Sequence, residues 1–340
     1  MKASEQNSVI IGALIIICSV CVTIALIYTS TFLIPFVLAL FLTYLLSPMI
    51  DFLRFKAKFP RFLAVFTTLV GVGLLFSVII PFIVQSISTF IFSIDQYKQR
   101  TIMFVHFLTE IPTALNISIN ETFFVDAIKN LPLLEITTSF LGNAAGVASN
   151  TILVLIFLFF MLLGSRSETE KKGIWLEIDA KITRYLMTKL VTSFSTGLII
   201  GCTLWLLGVE LAAVFGVLAF FLNFIPNVGS IIATLLPMPI AFLQFSNPWL
   251  IAAVFFIPAV VQIIIGSIIE PTVMGSGFDL HPVTILCALI FWGLIWGVTG
   301  MLLAAPITAI LKVVFQKFSI TKPVAEILAG RFPSFMQPGA

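Results

Sequence analysis

The stretch between Lys189 and Lys312 contains no lysine or arginine, and its only acidic residues are Glu210, Glu270 and Asp279. A soluble domain of ordinary composition would carry roughly a dozen basic residues over such a length. A basic side chain at the centre of a bilayer costs about 2.5–3.5 kcal/mol on insertion scales, so membrane-embedded segments exclude these residues. The gap therefore predicts that this part of the chain lies within a membrane.

The rest of the chain has the composition of a helical membrane protein. It is 60% hydrophobic and only 10% charged, and its mean hydropathy is +1.16. The apolar runs continue over about twenty residues, whereas a membrane β-barrel would show alternating segments of about ten. We therefore predict an all-α, polytopic membrane protein. The candidate membrane elements lie at about 9–28, 31–50, 62–92, 144–164, 189–209, 211–246, 248–269 and 283–311.

Two of these runs, 211–246 and 283–311, are too long for a single crossing and contain helix breakers. We expect each to form a hairpin or a broken helix, which places broken or re-entrant helices in the C-terminal half. About eight crossings then account for the whole chain. The glycine pairs Gly197/Gly201 and Gly293/Gly297 have the G-x-x-x-G spacing, which is typical of close helix packing.

The distribution of basic residues predicts the orientation. The loops at 51–61 and 165–189 and the segment after Lys312 are rich in lysine and arginine, whereas 93–140 carries five acidic residues against three basic ones. Because cytoplasmic loops of membrane proteins carry the excess of basic residues, we expect both termini and the two basic loops in the cytoplasm and 93–140 on the outer side.

These observations give the predicted organisation of the chain. It comprises N-terminal transmembrane helices at 1–92, an outward-facing amphipathic helical segment at 93–143, a transmembrane helix at 144–164, a cytoplasmic amphipathic loop at 165–188, a C-terminal transport core with broken helices at 189–315 and a cytoplasmic tail at 316–340.

The segment from Asn223 to Ser230 concentrates helix breakers and polar atoms inside the charge-poor region. Pro226 removes a backbone donor, and Asn227 can cap a new helix, with Gly229 and Ser230 following. Polar breaks at membrane depth are tolerated only where they line a cavity or are buried in protein. The pattern predicts a translocation pathway that binds substrate through Asn223, Pro226, Asn227, Gly229, Ser230 and Gln262.

Gln262, Gly266 and Glu270 recur at every fourth position and predict a polar stripe along one helix. Intramembrane carboxylates are functional candidates, so Glu270 is a candidate for ion or proton coupling, with Asp279 assisting. Pro271 follows Glu270 directly, so Glu270 could also lie near a helix end. Asp279, in a loop that holds two glycines, could equally be a turn residue.

The sequence shows no pattern for catalysis or for a resident cofactor. It lacks the G-x-x-x-x-G-K-[ST] phosphate loop, and neither His106 nor His281 has a metal-binding partner at the usual spacing. We find no nucleophile–base pair and therefore predict no catalytic residues, no metal, no cofactor and no nucleic-acid partner. The predicted partners are a small polar metabolite, sodium or a proton, and the lipid bilayer.

Several segments spread over most of the chain form a specific ordered set: 34–40, 59–65, Tyr185-Leu186, Lys189, Thr196-Gly197, 222–230, 269–275 and 300–308. Together they resemble the autoinducer-2 exporter superfamily of bacterial membrane transporters, and its TqsA-like branch in particular. The resemblance implies a secondary or passive transporter that exports autoinducer-2 in some members and exchanges sodium for protons in others. It also implies a homo-oligomer, with a pentamer suspected, in the bacterial inner membrane. Thr272 stands where the branch has an arginine, which removes a cation beside Glu270.

These features lead us to expect export of a small polar metabolite, with autoinducer-2 or a similar polyol as the first candidate. Such a hydroxyl-rich substrate needs hydrogen-bond donors and acceptors more than fixed charge. One alternative is a sodium/proton antiporter that uses Glu270. The second is an oligomeric membrane scaffold without transport.

Overall fold

In the computed structural model, residues 3–93, 144–164, 174–274, 280–319 and 321–331 are described. The described residues fold into α-helices and one π-helical segment, without strands. The predicted outward-facing segment at 93–143 lies, beyond Ser93, outside the described residues, and so does Asp279. In chain order the helices are α1 Ala3–Tyr28, α2 Ser30–Phe55, α3 Arg61–Ser93, α4 Ala144–Gly164, α5 Ile174–Leu206, α6 Ala212–Leu222, α7 Val228–Leu235, α8 Met238–Gln244, α9 Pro248–Ile263, the π-helix Ile264–Ile269, α10 Glu270–Met274, α11 Pro282–Phe315 and α12 Lys322–Leu328.

Within the described ranges, five helical segments are long and apolar enough to cross a membrane. Large apolar side chains on them are exposed, for example Leu294, Phe194 and Val78, as expected where lipid replaces water around the helix. The five segments are Ser30–Phe55, Arg61–Ser86, Asp179–Leu206, Pro248–Val273 and Pro282–Phe315. These findings confirm the predicted all-α, polytopic membrane fold.

The chain divides into two compact units. The first unit draws on Met1–Val65, Ala148–Leu186 and Ser276–Ala340, and the second on Phe66–Val147 and Met187–Gly275. The core of the first unit contains Phe41, Ile182, Leu186 and Leu303. Beside this core the Tyr44 hydroxyl donates to Asp179 Oδ1 at 2.7 Å.

The second unit is built around a close backbone contact between α5 and α6. Its core includes Ile200, Leu204, Val209, Ala212, Phe215, Ala219, Ala233, Ala241 and Val254. A Cβ atom added to Gly197 would lie 2.6 Å from the Gly216 carbonyl oxygen, and one added to Gly216 would lie 2.9 Å from Gly201 Cα. The predicted packing role of the Gly197/Gly201 pair is therefore confirmed, because only glycines allow this approach.

The Gly293/Gly297 pair lies at a break in α11 and not at the predicted close contact between two helices. Gly297 has φ 62° and ψ −144° inside α11, a conformation that is essentially restricted to glycine. The side chain of Met301 folds back against Gly293. The pair therefore marks a break, which agrees with the predicted broken helix at 283–311. The run at 211–246 is likewise divided, into α6, α7 and α8.

Helix α5 differs from the expected division at residue 188 between a cytoplasmic loop and the transport core. A single helix continues from Ile174 to Leu206, because no glycine or proline interrupts residues 174–196. Lys189, counted above with the basic loop, lies inside this helix and is buried. That position makes Lys189 part of the candidate site.

Candidate functional site

The break between α6 and α7 begins where the sequence places Asn223 and Pro226. Helix α6 ends at Leu222 and α7 starts at Val228, so the predicted non-helical stretch within 223–229 is confirmed. The Ile225 N–H donates to the Leu222 carbonyl oxygen at 2.8 Å. The residues between the two helices thus form a tight turn.

Asn227 lies at the centre of a strained turn. Its φ of 61° and ψ of −55° fall outside the regions that non-glycine residues favour. The Val228 N–H donates to the Pro226 carbonyl oxygen at 2.7 Å, and this bond with these dihedral angles defines the rare γ-turn with positive φ. Such strain persists only where the surroundings enforce it, and it concentrates at ligand-binding sites and switches.

The predicted capping role of Asn227 is wrong for its side chain. Asn227 occupies the N-cap position of α7, but its side chain makes no capping hydrogen bond, because the positive φ turns it away from the helix end. The Ser230 hydroxyl instead donates to the Asn227 carbonyl oxygen at 2.8 Å. The exposed Asn227 amide is therefore not engaged by the helix that it precedes.

Asn223 and Gly229 fix the shape of the break from within. Asn223 is buried and donates through Nδ2 to the Ser193 hydroxyl at 3.0 Å, which ties the break to α5. A Cβ atom at Gly229 would collide with the Leu222 carbonyl group, so only glycine fits there. Gly229, a predicted substrate-binding residue, does not line the cavity described below and acts sterically.

Gln262, Gly266 and Glu270 line one cavity, although an unbroken α-helix would not align them. Eight residues of α-helix make about 2.2 turns, which would leave Glu270 about 80° around the axis from Gln262. The π-helix Ile264–Ile269 takes more residues per turn and brings Glu270 back towards that face. Pro271 accounts for the widened turn, because it lacks the N–H that a regular α-helix needs there.

Glu270 forms a buried ion pair with Lys189. The Lys189 Nζ lies 2.5 Å from Glu270 Oε1, and the two side chains are 5% and 16% exposed. The Thr272 hydroxyl donates to the Ile268 carbonyl oxygen. Glu270 lies at the junction of the π-helix with α10, which ends at Met274.

Gln262 is a buried amide without a hydrogen-bond partner among the described residues. The residue is 6% exposed, and neither Nε2 nor Oε1 has a partner within that part of the chain. Leaving a buried donor or acceptor unsatisfied costs about 1–3 kcal/mol. Gln262 is also among the residues that line the cavity described below.

These side chains meet in a cavity of about 390 Å³ in the second unit, a volume that suits a small molecule. Of the predicted substrate residues, Asn223, Pro226, Asn227, Ser230 and Gln262 line it. Glu270 also lines it, as do Lys189 and the backbone of Gly266. Within the described part of the chain, the lining residues carry two formal charges, on Lys189 and Glu270, and these cancel.

Lys189 and Ser193 are site residues that the sequence analysis missed. A usable signal exists, because Lys189, Thr192, Ser193 and Thr196 recur at helical spacing along an otherwise apolar run. All four are buried. A polar stripe facing inward from a membrane helix marks a functional face.

Comparison with known proteins finds similar sequences among membrane transporters. The family model of the AI-2E family transporters matches residues 14–320. The AI-2 transport protein TqsA of Escherichia coli K12 is 27% identical over 316 residues, covering 89% of this chain and 90% of that protein. A Borreliella burgdorferi protein provisionally named a transport protein is 30% identical over 330 residues, which cover 91% of this chain and 90% of the relative.

Proposed function

The chain belongs to the AI-2E family of transporters, and we propose that the cavity at the α6–α7 break binds its substrate during transport. The proposed substrate is a small, neutral, hydroxyl-rich metabolite. Broken helices whose polar groups line a cavity at membrane depth are the recurrent substrate sites of secondary transporters. The cavity combines such a break with the amides of Asn223, Asn227 and Gln262.

The proposed substrate class rests on the Gln262 amide, which has no hydrogen-bond partner among the described residues. An amide presents a donor and an acceptor side by side, and a hydroxyl group can satisfy either one. A bare cation satisfies only the acceptor, and an anion satisfies only the donor. Lys189 does not reverse this preference, because Glu270 neutralises it at 2.5 Å. The combination favours a neutral ligand that offers both hydroxyl donors and oxygen acceptors.

Autoinducer-2 is the first substrate to test. It is hydroxyl-rich, and a relative that aligns with nearly the whole chain is named an AI-2 transport protein. Within this proposal the protein exports the molecule as a quorum-sensing signal. It works as a homo-oligomer, a pentamer by resemblance, in the bacterial inner membrane with both termini in the cytoplasm. The distribution of basic residues supports that orientation.

The second candidate function is sodium/proton antiport, and the Lys189–Glu270 pair supports it. A sodium ion or proton arriving at Glu270 would displace Lys189, and a carboxylate that exchanges one cation for another is a mechanism of coupling. This alternative requires the carboxylate and makes no use of the Gln262 donor. Gln262→Leu and the double variant Lys189→Met/Glu270→Gln therefore separate the two functions.

We expect Gln262→Leu to reduce autoinducer-2 flux at least tenfold in proteoliposomes without loss of stability. Leucine keeps most of the side-chain volume and removes two unsatisfied buried polar atoms, which is neutral or stabilising for the fold. A purely structural glutamine would behave in the opposite way. The measurement pairs initial uptake rates with the thermal unfolding midpoint of the same preparation.

Gln244→Leu is the matched control. The Gln244 side chain accepts from the Glu210 N–H at 2.9 Å and donates to the Gly208 carbonyl oxygen, so it holds a turn within the same unit. We expect this variant to lose stability by about 1–3 kcal/mol and to keep its flux per folded protein. Normal flux in the Gln262→Leu variant would show that Gln262 does not bind the substrate.

A further inference from the structure

The turn between α2 and α3 lies at one surface of the membrane. It consists of residues 56–60, and both flanking segments, Ser30–Phe55 and Arg61–Ser86, are long and apolar enough to cross a bilayer. A short connection between two such helices has to lie where the hydrocarbon meets water. The turn and the helix ends beside it are therefore in reach of phospholipid headgroups.

Most charged side chains of this region are basic and have no carboxylate partner among the described residues. Arg61 is engaged, because its Nε and Nη2 donate to the Leu162 carbonyl oxygen at 3.2 and 2.8 Å. Among the described residues, no carboxylate pairs with Arg54, Lys56 or Lys58. Lys56 and Lys58 are exposed, and Lys58 stands at the tip of the turn with φ 57°. Between Asp51 and Lys58, these three basic residues outnumber the one acid, Asp51.

Exposed aromatic rings stand beside these cations. Phe52, Phe55 and Phe62 are 58%, 66% and 58% exposed, although a phenylalanine surrounded by water would be costly. The Lys56 ammonium lies 5.2 Å from the centre of the Phe52 ring, and the Arg54 guanidinium lies 5.4 Å from that of Phe55. Rings that enter the acyl region, with cations held at the headgroups, are the arrangement of a lipid-binding surface.

We propose that Arg54, Lys56 and Lys58, together with Phe52 and Phe55, form a binding site for an anionic phospholipid. The basic side chains bind the headgroup phosphate, and the rings contact the first carbons of the acyl chains. Arg61 holds the turn in place by fastening it to the end of α4. The occupant is a membrane lipid rather than free phosphate, because the rings contribute only to a ligand that carries acyl chains.

The proposal is tested by titrating fluorescent phosphatidylglycerol into the purified full-length protein in neutral detergent. We expect saturable binding that is tighter than that of fluorescent phosphatidylcholine and that weakens at high salt. Each basic residue near an anionic surface contributes about a fivefold gain in affinity. Lys56→Gln/Lys58→Gln should therefore weaken phosphatidylglycerol binding about 25-fold, and Phe52→Ala/Phe55→Ala should weaken it with no change in charge.

Lys317→Gln/Lys322→Gln is the matched control, since it also removes two exposed lysines near the end of a membrane-spanning helix. We expect it to change the affinity no more than about twofold. An equal loss of phosphatidylglycerol affinity in the control would overturn the proposal, because binding would then depend on the overall positive charge and not on this site. Equal binding of the two lipids, or displacement of phosphatidylglycerol by millimolar inorganic phosphate, would also overturn it. Size-exclusion profiles identify any variant that has lost its fold.

Discussion

Glu270→Gln is expected to destabilise the protein by about 3–5 kcal/mol, because it leaves the Lys189 ammonium buried without its counter-ion. Lys189 is the more deeply buried partner, at 5% exposed against 16% for Glu270. Lys189→Met should therefore be milder, since the carboxylate that it leaves has better access to water. The thermal unfolding midpoint of the detergent-purified protein reports both effects.

The double variant Lys189→Met/Glu270→Gln should recover most of the lost stability, because it leaves no buried charge. Replacement of a buried ion pair by neutral residues of similar volume is often close to neutral. Single variants as stable as the unaltered protein would show that the pair is not buried as described. Single and double variants of equal instability would show that the two residues act independently.

This ion pair changes how Glu270 can be used to distinguish the two candidate functions. Glu270→Gln alone does not test carboxylate-coupled antiport, because stranding the Lys189 ammonium would abolish flux under either mechanism. The double variant removes that ambiguity. We expect it to retain measurable autoinducer-2 flux, whereas an antiporter that depends on the carboxylate would be inactive although folded.

Substitution of Asn227 by glycine is expected to reduce transport about tenfold while leaving stability unchanged or improved. Glycine adopts the positive φ of 61° without strain, so the variant removes the amide and preserves the turn. Loss of one ligand hydrogen bond costs about 1–1.5 kcal/mol, which corresponds to about tenfold in affinity. The expected change is a higher KM in an uptake assay.

Asn227→Ala is the informative comparison, because alanine removes the same amide but must hold the γ-turn against its own preference. It should show the transport loss of the glycine variant together with a lower unfolding midpoint, since each sparsely populated backbone conformation costs about 1–3 kcal/mol. Normal transport by Asn227→Gly would show that Asn227 serves the backbone alone.

The broken helix could be predicted from sequence because its causes are local. Pro226 fixes its own φ angle and lacks a backbone N–H, so the sequence itself shows both the break and its polar flanks. The γ-turn at Asn227 could not be predicted in the same way. Asparagine suits a helix cap equally well, and the close approach of Gly229 to Leu222 is a contact that only the folded structure shows.

The residues that meet around the break are far apart in the chain, and the sequence alone does not show that they are in contact. Lys189 and Glu270 are 81 positions apart, and Lys189 is easily counted with the basic loop that precedes it. The π-helix that turns Glu270 into the cavity depends on Pro271, whose simpler interpretation is a helix end. The burial of Lys189 and the rotation of Glu270 into the cavity both depend on tertiary packing, which the composition of the chain does not reveal.

The measurement that tests the central claim most directly is flux in proteoliposomes that contain the purified protein, with autoinducer-2 and sodium followed in parallel. If the cavity serves a neutral, hydroxyl-rich substrate, autoinducer-2 will show saturable flux that Gln262→Leu reduces at least tenfold, and imposed sodium or proton gradients will change it little. Sodium–proton exchange that persists in Gln262→Leu, without any flux of autoinducer-2, would contradict the account.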